Sequence, residues 1–128
     1  MHNLLEKIVV ATGGTGGHVF PAYGLAKHFT ENKINVEIIS DKRGFKYLKD
    51  YKDLKITLIP SSTIFKKNIF KSVLSIIIVF YSIMKSLLFL FKSRPNLVFG
   101  MGGYSSFPVC AASKILGIPF IIYENNLH

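Results

Sequence analysis

Two glycine-rich stretches carry most of the chemical information in this chain of 128 residues. The first, Gly13-Gly14-Thr15-Gly16-Gly17-His18, follows the apolar run Ile8-Val9-Val10-Ala11. The second, Gly100-Met101-Gly102-Gly103-Tyr104-Ser105-Ser106-Phe107-Pro108, follows Leu97-Val98-Phe99. Each reads as strand, glycine turn, helix start. Glycine permits positive φ and a close backbone approach. A helix start presents free N–H groups and a partial positive charge. That combination suits phosphate, and two such loops in one domain suit a diphosphate. Neither stretch is a common nucleotide fingerprint: Gly-x-Gly-x-x-Gly fails at Val19, and no Gly-Lys-Ser/Thr is present. Asp41 lies close to the end of a strand without the clear placement of a ribose-binding acid, so a dinucleotide enzyme is disfavoured.

The elements that must position these loops alternate along the chain. Short Val- and Ile-rich runs predict strands at Lys7–Ala11, Asn35–Ser40, Lys55–Ile59, Leu97–Gly100 and Phe120–Tyr123. Several are apolar on both faces, as in a covered parallel sheet. Helices are predicted over Val19–Asn32, with Pro21 near the first turn, and over Phe45–Tyr51, Asn68–Lys92 and Tyr104–Leu116, the last closed by Gly117. The pattern is an α/β domain over residues 1–128 with a Rossmann-like, doubly wound parallel sheet. In that arrangement the first and fourth strands are neighbours, and ligands bind where the winding reverses between them. Both glycine loops would flank that crevice.

Sixteen Lys and Arg against seven Asp and Glu give a net charge of +9. This balance favours phosphates, nucleic acid or anionic lipid headgroups. Nucleic acid has little support, because the aromatic residues cluster in an apolar segment and not among the basic ones. The single Cys110 rules out a disulfide framework or a cysteine metal cluster and reads as a buried packing thiol. No Asp-x-Asp metal motif is present, and no cofactor is expected. The start of the chain lacks a secretory pattern, which points to the cytoplasm.

Residues 73–91 are almost wholly apolar, and their length approaches that of a membrane span. Lys71, Ser75, Ser82, Lys85 and Ser86 gather on one side at helical spacing; the rest of the circumference is apolar. Lys66, Lys67 and Lys71 precede the run, and Lys92 and Arg94 follow it. Three readings stand: docking of Lys66, Lys67, Ile69, Phe70, Phe80 and Lys92 on an anionic bilayer surface, burial between the sheet and another helix, or a span.

Taken together, the two glycine motifs, Leu116-Gly117-Ile118-Pro119 and Tyr123-Glu124-Asn125-Asn126 resemble the N-terminal part of the MurG family of peptidoglycan glycosyltransferases, glycosyltransferase family 28. The resemblance runs along essentially the whole chain. It implies the acceptor-binding half of an inverting GT-B enzyme that moves N-acetylglucosamine from UDP-GlcNAc to lipid I, at the cytoplasmic face of the bacterial inner membrane. Family members are longer, so the UDP-sugar half would come from a missing C-terminal domain or a partner chain, and the isolated chain is expected to be inactive. Where the family usually has His-Glu-Gln-Asn, this chain has Tyr123-Glu124-Asn125-Asn126, so the role of that first His does not carry over.

By this resemblance Thr15, Gly16, Gly17 and Asn126 contact the donor, while Gly13, Gly14, Gly102, Gly103, Tyr104, Ser105 and Ser106 hold the acceptor diphosphate through backbone N–H groups and hydroxyls. Tyr104 equally suits packing at a helix start. His18 is the first choice for the base that takes the acceptor proton, since neutral imidazole accepts one near physiological pH; the alternative is that it only braces the loop. Glu124 follows the fifth strand and would orient or deprotonate the acceptor, or brace its neighbours. A second reading is a non-catalytic membrane-anchoring subunit that recruits a separate donor-binding chain. A third is a related transferase acting on a soluble acceptor.

Overall fold

The computed structural model describes residues 6–14, 16–51, 54–60, 69–102 and 105–123. Five strands and four helices alternate: β1 (Lys7–Ala11), α1 (Gly16–Glu31), β2 (Asn35–Ser40), α2 (Lys42–Leu48), β3 (Lys55–Leu58), α3 (Ile69–Ser93), β4 (Leu97–Gly100), α4 (Ser106–Leu116) and β5 (Phe120–Ile122). The sheet is parallel throughout, in the order β3-β2-β1-β4-β5. The first and fourth strands are therefore neighbours, with Ile8 opposite Leu97 and Ala11 opposite Gly100. This is the expected α/β, Rossmann-like doubly wound sheet.

Alternation along β1 explains the two core layers. Successive side chains of a strand point to opposite faces. Ile8 and Val10 pack with Val19, Ala22, Ala26, Ile38 and Leu48 on the α1/α2 side. Val9 and Ala11 pack with Ile39, Leu90, Val98, Val109 and Ala112 on the α3/α4 side. A strand buried on both faces must be apolar at every position, which is what Ile8-Val9-Val10-Ala11 supplies.

Helix boundaries differ from expectation at two informative places. Helix α1 starts at Gly16, not Val19, so Gly16, Gly17 and His18 form its first turn and Pro21 lies inside it, beyond that turn. Helix α2 starts at Lys42, not Phe45, because Asp41 acts as its N-cap, accepting from the Gly44 N–H at 2.8 Å. The same carboxylate oxygen accepts from the Gly14 N–H at 3.1 Å, so it ties the first glycine loop to α2.

The serines of the polar stripe of α3 do not face water, whereas Lys71 and Lys85 of the same stripe are exposed. Ser75, Ser82 and Ser86 are buried with Val79 and Leu90, and α3 packs along α4. Small side chains let the helix lie close to the domain, and the Ser82 hydroxyl donates to the Pro60 carbonyl. The opposite, large apolar face is left open: Phe70 is 82%, Ile69 75% and Phe80 66% exposed. Burial between the sheet and another helix thus describes only the serine side. By length and composition α3 is able to cross a membrane, but its serine side is occupied by the domain.

Asp41→Ala removes the acceptor for two backbone N–H groups. It is expected to lower stability by about 3 kcal/mol, and Asp41→Asn, which keeps an acceptor oxygen, by less. Urea unfolding of the two variants beside the parent chain checks the order.

Candidate functional site

The carboxyl ends of β1 and β4 bring the two glycine loops into direct contact. The Met101 N–H donates to the Ala11 carbonyl at 2.8 Å, which extends the β1–β4 pairing into the loops. The Ser105 hydroxyl donates to the Thr12 carbonyl at 2.8 Å. The Ser106 hydroxyl lies 2.6 Å from the Gly102 carbonyl oxygen and 3.1 Å from that of Ala11. Both serines are buried, so their hydroxyl protons hold the loops together. Neither hydroxyl proton is left over for an anion while these bonds stand.

His18 is the meeting point. It stands in the first turn of α1, where its backbone carbonyl accepts from the Thr12 hydroxyl at 2.9 Å. Its imidazole lies against Gly102 so closely that a Cβ there would overlap the ring. Gly102 also has φ of 99°, a conformation that L side chains rarely adopt. Two independent constraints therefore demand glycine at this position. His18 Nδ1 is buried and makes no hydrogen bond to a described residue. The ring thus bridges the two loops through packing.

The remaining predicted positions divide cleanly. Gly13 is buried against Ser105 and the Asp41 side chain. Gly14 has φ of 82° and gives its N–H to Asp41, so that donor faces the carboxylate and not the crevice. Gly16 and Gly17 open α1, with Gly16 packed against the Phe20 ring. Phe20 stands edge-on to Tyr47, ring centres 5.6 Å apart, beside this helix start. Of the docking residues, Ile69, Phe70, Phe80 and Lys92 are exposed on α3. Thr15, Lys66, Lys67, Gly103, Tyr104, Glu124 and Asn126 lie outside the described residues.

Sequence reasoning understated Asp41 and overlooked Thr12. An aspartate directly after an apolar strand, three residues before a glycine, is an N-cap signal that was available. Thr12 carried no comparable signal, because its task is set by a carbonyl brought back by the first turn of α1.

On the α1 side of β4 and β5, a largely apolar hollow of about 450 Å³ adjoins the crevice, lined in part by Pro21, Leu25, Met101, Ile121 and Tyr123. On the other side of the sheet Cys110 packs against Gly100, and burial pushes its thiol up to about 11.

Comparison with known proteins fits this geometry. The model of the glycosyltransferase family 28 N-terminal domain matches residues 8–128. The chain belongs to that family. As a family 28 domain it is 36% identical over 121 residues to a Francisella tularensis subsp. holarctica protein, covering 94% of this chain and 33% of that one. That relative is named UDP-N-acetylglucosamine--N-acetylmuramyl-(pentapeptide) pyrophosphoryl-undecaprenol N-acetylglucosamine transferase. A Pelagibacter ubique protein of the same name is 37% identical over 95% of this chain and 33% of its own length. The chain thus spans about a third of the length of these curated relatives. The crystal structure of Acinetobacter baumannii MurG superposes with a TM-score of 0.77 at 24% identity, covering 94% of this chain and 36% of that one. This shows that the family 28 domain shares the fold of that protein.

Gly102→Ala is expected to destabilise the chain by about 2 kcal/mol, from the positive φ and the overlap with His18; denaturant unfolding measures it. Cys110 is expected to resist a thiol reagent at pH 8 until the chain is unfolded. Because its pKa is raised from 9.0 to about 11 on folding, its contribution to stability is complete below pH 9 and is lost as the pH rises through 11. Unfolding curves across that range, for the parent and Cys110→Ala, test the sign.

Proposed function

We propose that this chain is the acceptor-binding half of an inverting glycosyltransferase. The reaction moves N-acetylglucosamine from UDP-GlcNAc to an undecaprenyl-diphosphate-linked N-acetylmuramoyl-pentapeptide. The observation that supports this most is the convergence of both glycine loops on His18 and Gly102 at the β1/β4 switch point. Relatives at 36–37% identity carry the name of that activity.

In this reading the acceptor diphosphate lies across the crevice, against backbone N–H groups of the second glycine loop and the start of α4. His18 takes the proton of the attacking hydroxyl through Nε2, the ring nitrogen that is not enclosed against Gly102. Thr15, Gly16, Gly17 and Asn126 face the donor, which a C-terminal domain or partner chain holds from the far side. Glu124 orients the acceptor or steadies the loop after β5. The acceptor is lipid-linked, so the crevice must work at a membrane surface. The exposed face of α3, with Ile69, Phe70 and Phe80 outermost and Lys92 near its end, docks peripherally on the anionic cytoplasmic face of the bacterial inner membrane.

Binding measurements on the chain itself test the division of labour. Lipid I is expected to bind, and UDP-GlcNAc weakly or not at all; tight donor binding without a second domain overturns the assignment. For the chemistry, His18→Ala is placed in this domain joined to a donor-binding domain. Turnover is expected to fall at least about a hundredfold, and unchanged turnover removes His18 as the base.

A further inference from the structure

Lys42 and Arg43 follow directly on the buried Asp41 at the end of β2, and both line a cleft of about 430 Å³. Lys85 lines it from the side of α3. Its ammonium donates to the Leu58 carbonyl at 2.9 Å, so the edge strand β3 holds this cation in place. Ile59 and Pro60, just after β3, supply an apolar wall. Lys42, Arg43 and Lys85 are exposed, and none is within salt-bridge distance of a described carboxylate. The carboxylate that lines the same cleft, Asp41, is 4% exposed and accepts from the Gly14 and Gly44 N–H groups. Three cations against one occupied carboxylate leave the cleft positive.

Asp41 joins this cleft to the β1/β4 crevice. It lines the cleft, and its carboxylate also takes the Gly14 N–H of the first glycine loop at 3.1 Å. The cleft sits at the carboxyl ends of β2 and β3, the same edge of the sheet as the crevice. Neighbouring strands are about 5 Å apart, so the end of β3 lies about 10 Å from the end of β1. Five extended residues span up to about 17 Å. A peptide of that length, attached to a sugar in the crevice, reaches the cleft with its far end.

We infer that this cleft is the subsite for the acceptor's peptide: Arg43, Lys42 and Lys85 take the terminal carboxylate, and Ile59 and Pro60 pack against the last side chains. An unblocked peptide ends in a carboxylate, and a guanidinium offers its two oxygens a planar pair of donors. The ammonium groups add charge, and that of Lys85 is already oriented by Leu58. The inference rests on the acceptor-binding reading above. It adds the contact by which the domain tells a peptide-bearing acceptor from a bare one.

Calorimetric titration of the 128-residue chain in neutral-detergent micelles tests it. Three acceptors are compared: undecaprenyl-diphosphate-linked N-acetylmuramoyl-pentapeptide, the same molecule ending in a carboxamide, and the same molecule without its peptide. The parent chain is expected to bind the free acid about tenfold more tightly than the carboxamide. Lys42→Gln with Arg43→Gln is expected to bring acid and carboxamide to equal affinity, and Lys85→Met to narrow the gap. Lys27→Gln with Lys114→Gln removes the same charge from exposed positions on α1 and α4 and is expected to keep the gap. Thermal melts confirm folding; should the cleft pair not fold, the gap in Lys85→Met decides. Equal affinity of the parent for acid and carboxamide overturns the subsite. So does a gap that survives in the cleft pair, or one that closes in the outer pair as well, which means diffuse attraction. These results leave the acceptor assignment standing as long as the parent binds the peptide-free acceptor. If the parent binds none of the three, the acceptor assignment itself has failed.

Discussion

Two parallel strands that end side by side impose the main constraint on this domain. β1 and β4 are consecutive in space but not in sequence, and each turns sharply into a helix at the same edge of the sheet. Their loops meet with no room for a side chain at Gly13 or Gly102. Gly13 and Gly102 answer that demand with backbone, and Ser105 and Ser106 use their hydroxyls to lock one loop on the carbonyls of the other. His18 fills what is left. The junction of the loops is thus a product of crowding first, and among the described residues its chemistry is whatever crowding leaves: main-chain groups and the His18 imidazole.

Asp41 shows how the same crowding is balanced electrically. A buried carboxylate is costly unless hydrogen-bonded, and here two backbone N–H groups bond it. The carboxylate lies on the side of the first loop that faces α2, and it takes up the Gly14 N–H there.

Strands were legible to within a residue, because a strand buried on both faces has to be apolar throughout and the flanking glycines mark its end. The meeting of the two glycine loops was legible for the same reason: glycine after an apolar run, twice, at strands that the doubly wound order makes adjacent. Helix α3 was half legible. Its spacing showed one polar stripe and one apolar face, but period alone does not say which faces the protein. Serine is small enough to be buried and polar enough to be read as surface, and the Ser82 bond to Pro60 decides the matter only once β3 is in place. The hydroxyls of Ser105 and Ser106 were read as substrate donors for a similar reason. Nothing local reveals that the carbonyls of Ala11 and Thr12 will arrive beside them.

Those carbonyls belong to residues more than ninety positions earlier: the Ser105 hydrogen bond to Thr12 spans 93 residues, and the Asn96 side chain caps the start of β1 across 90. The centre of the sheet therefore cannot close until residues as far as Ser105 have left the ribosome. At about 5–20 residues per second, β1 and α1 wait for several seconds with their apolar sides uncovered, and α3 emerges before β4 is available to pair. A nascent chain in that condition has a greasy helix to shield before it has a finished domain. Whatever covers α3 first then influences whether folding ends in a sheet or in an aggregate.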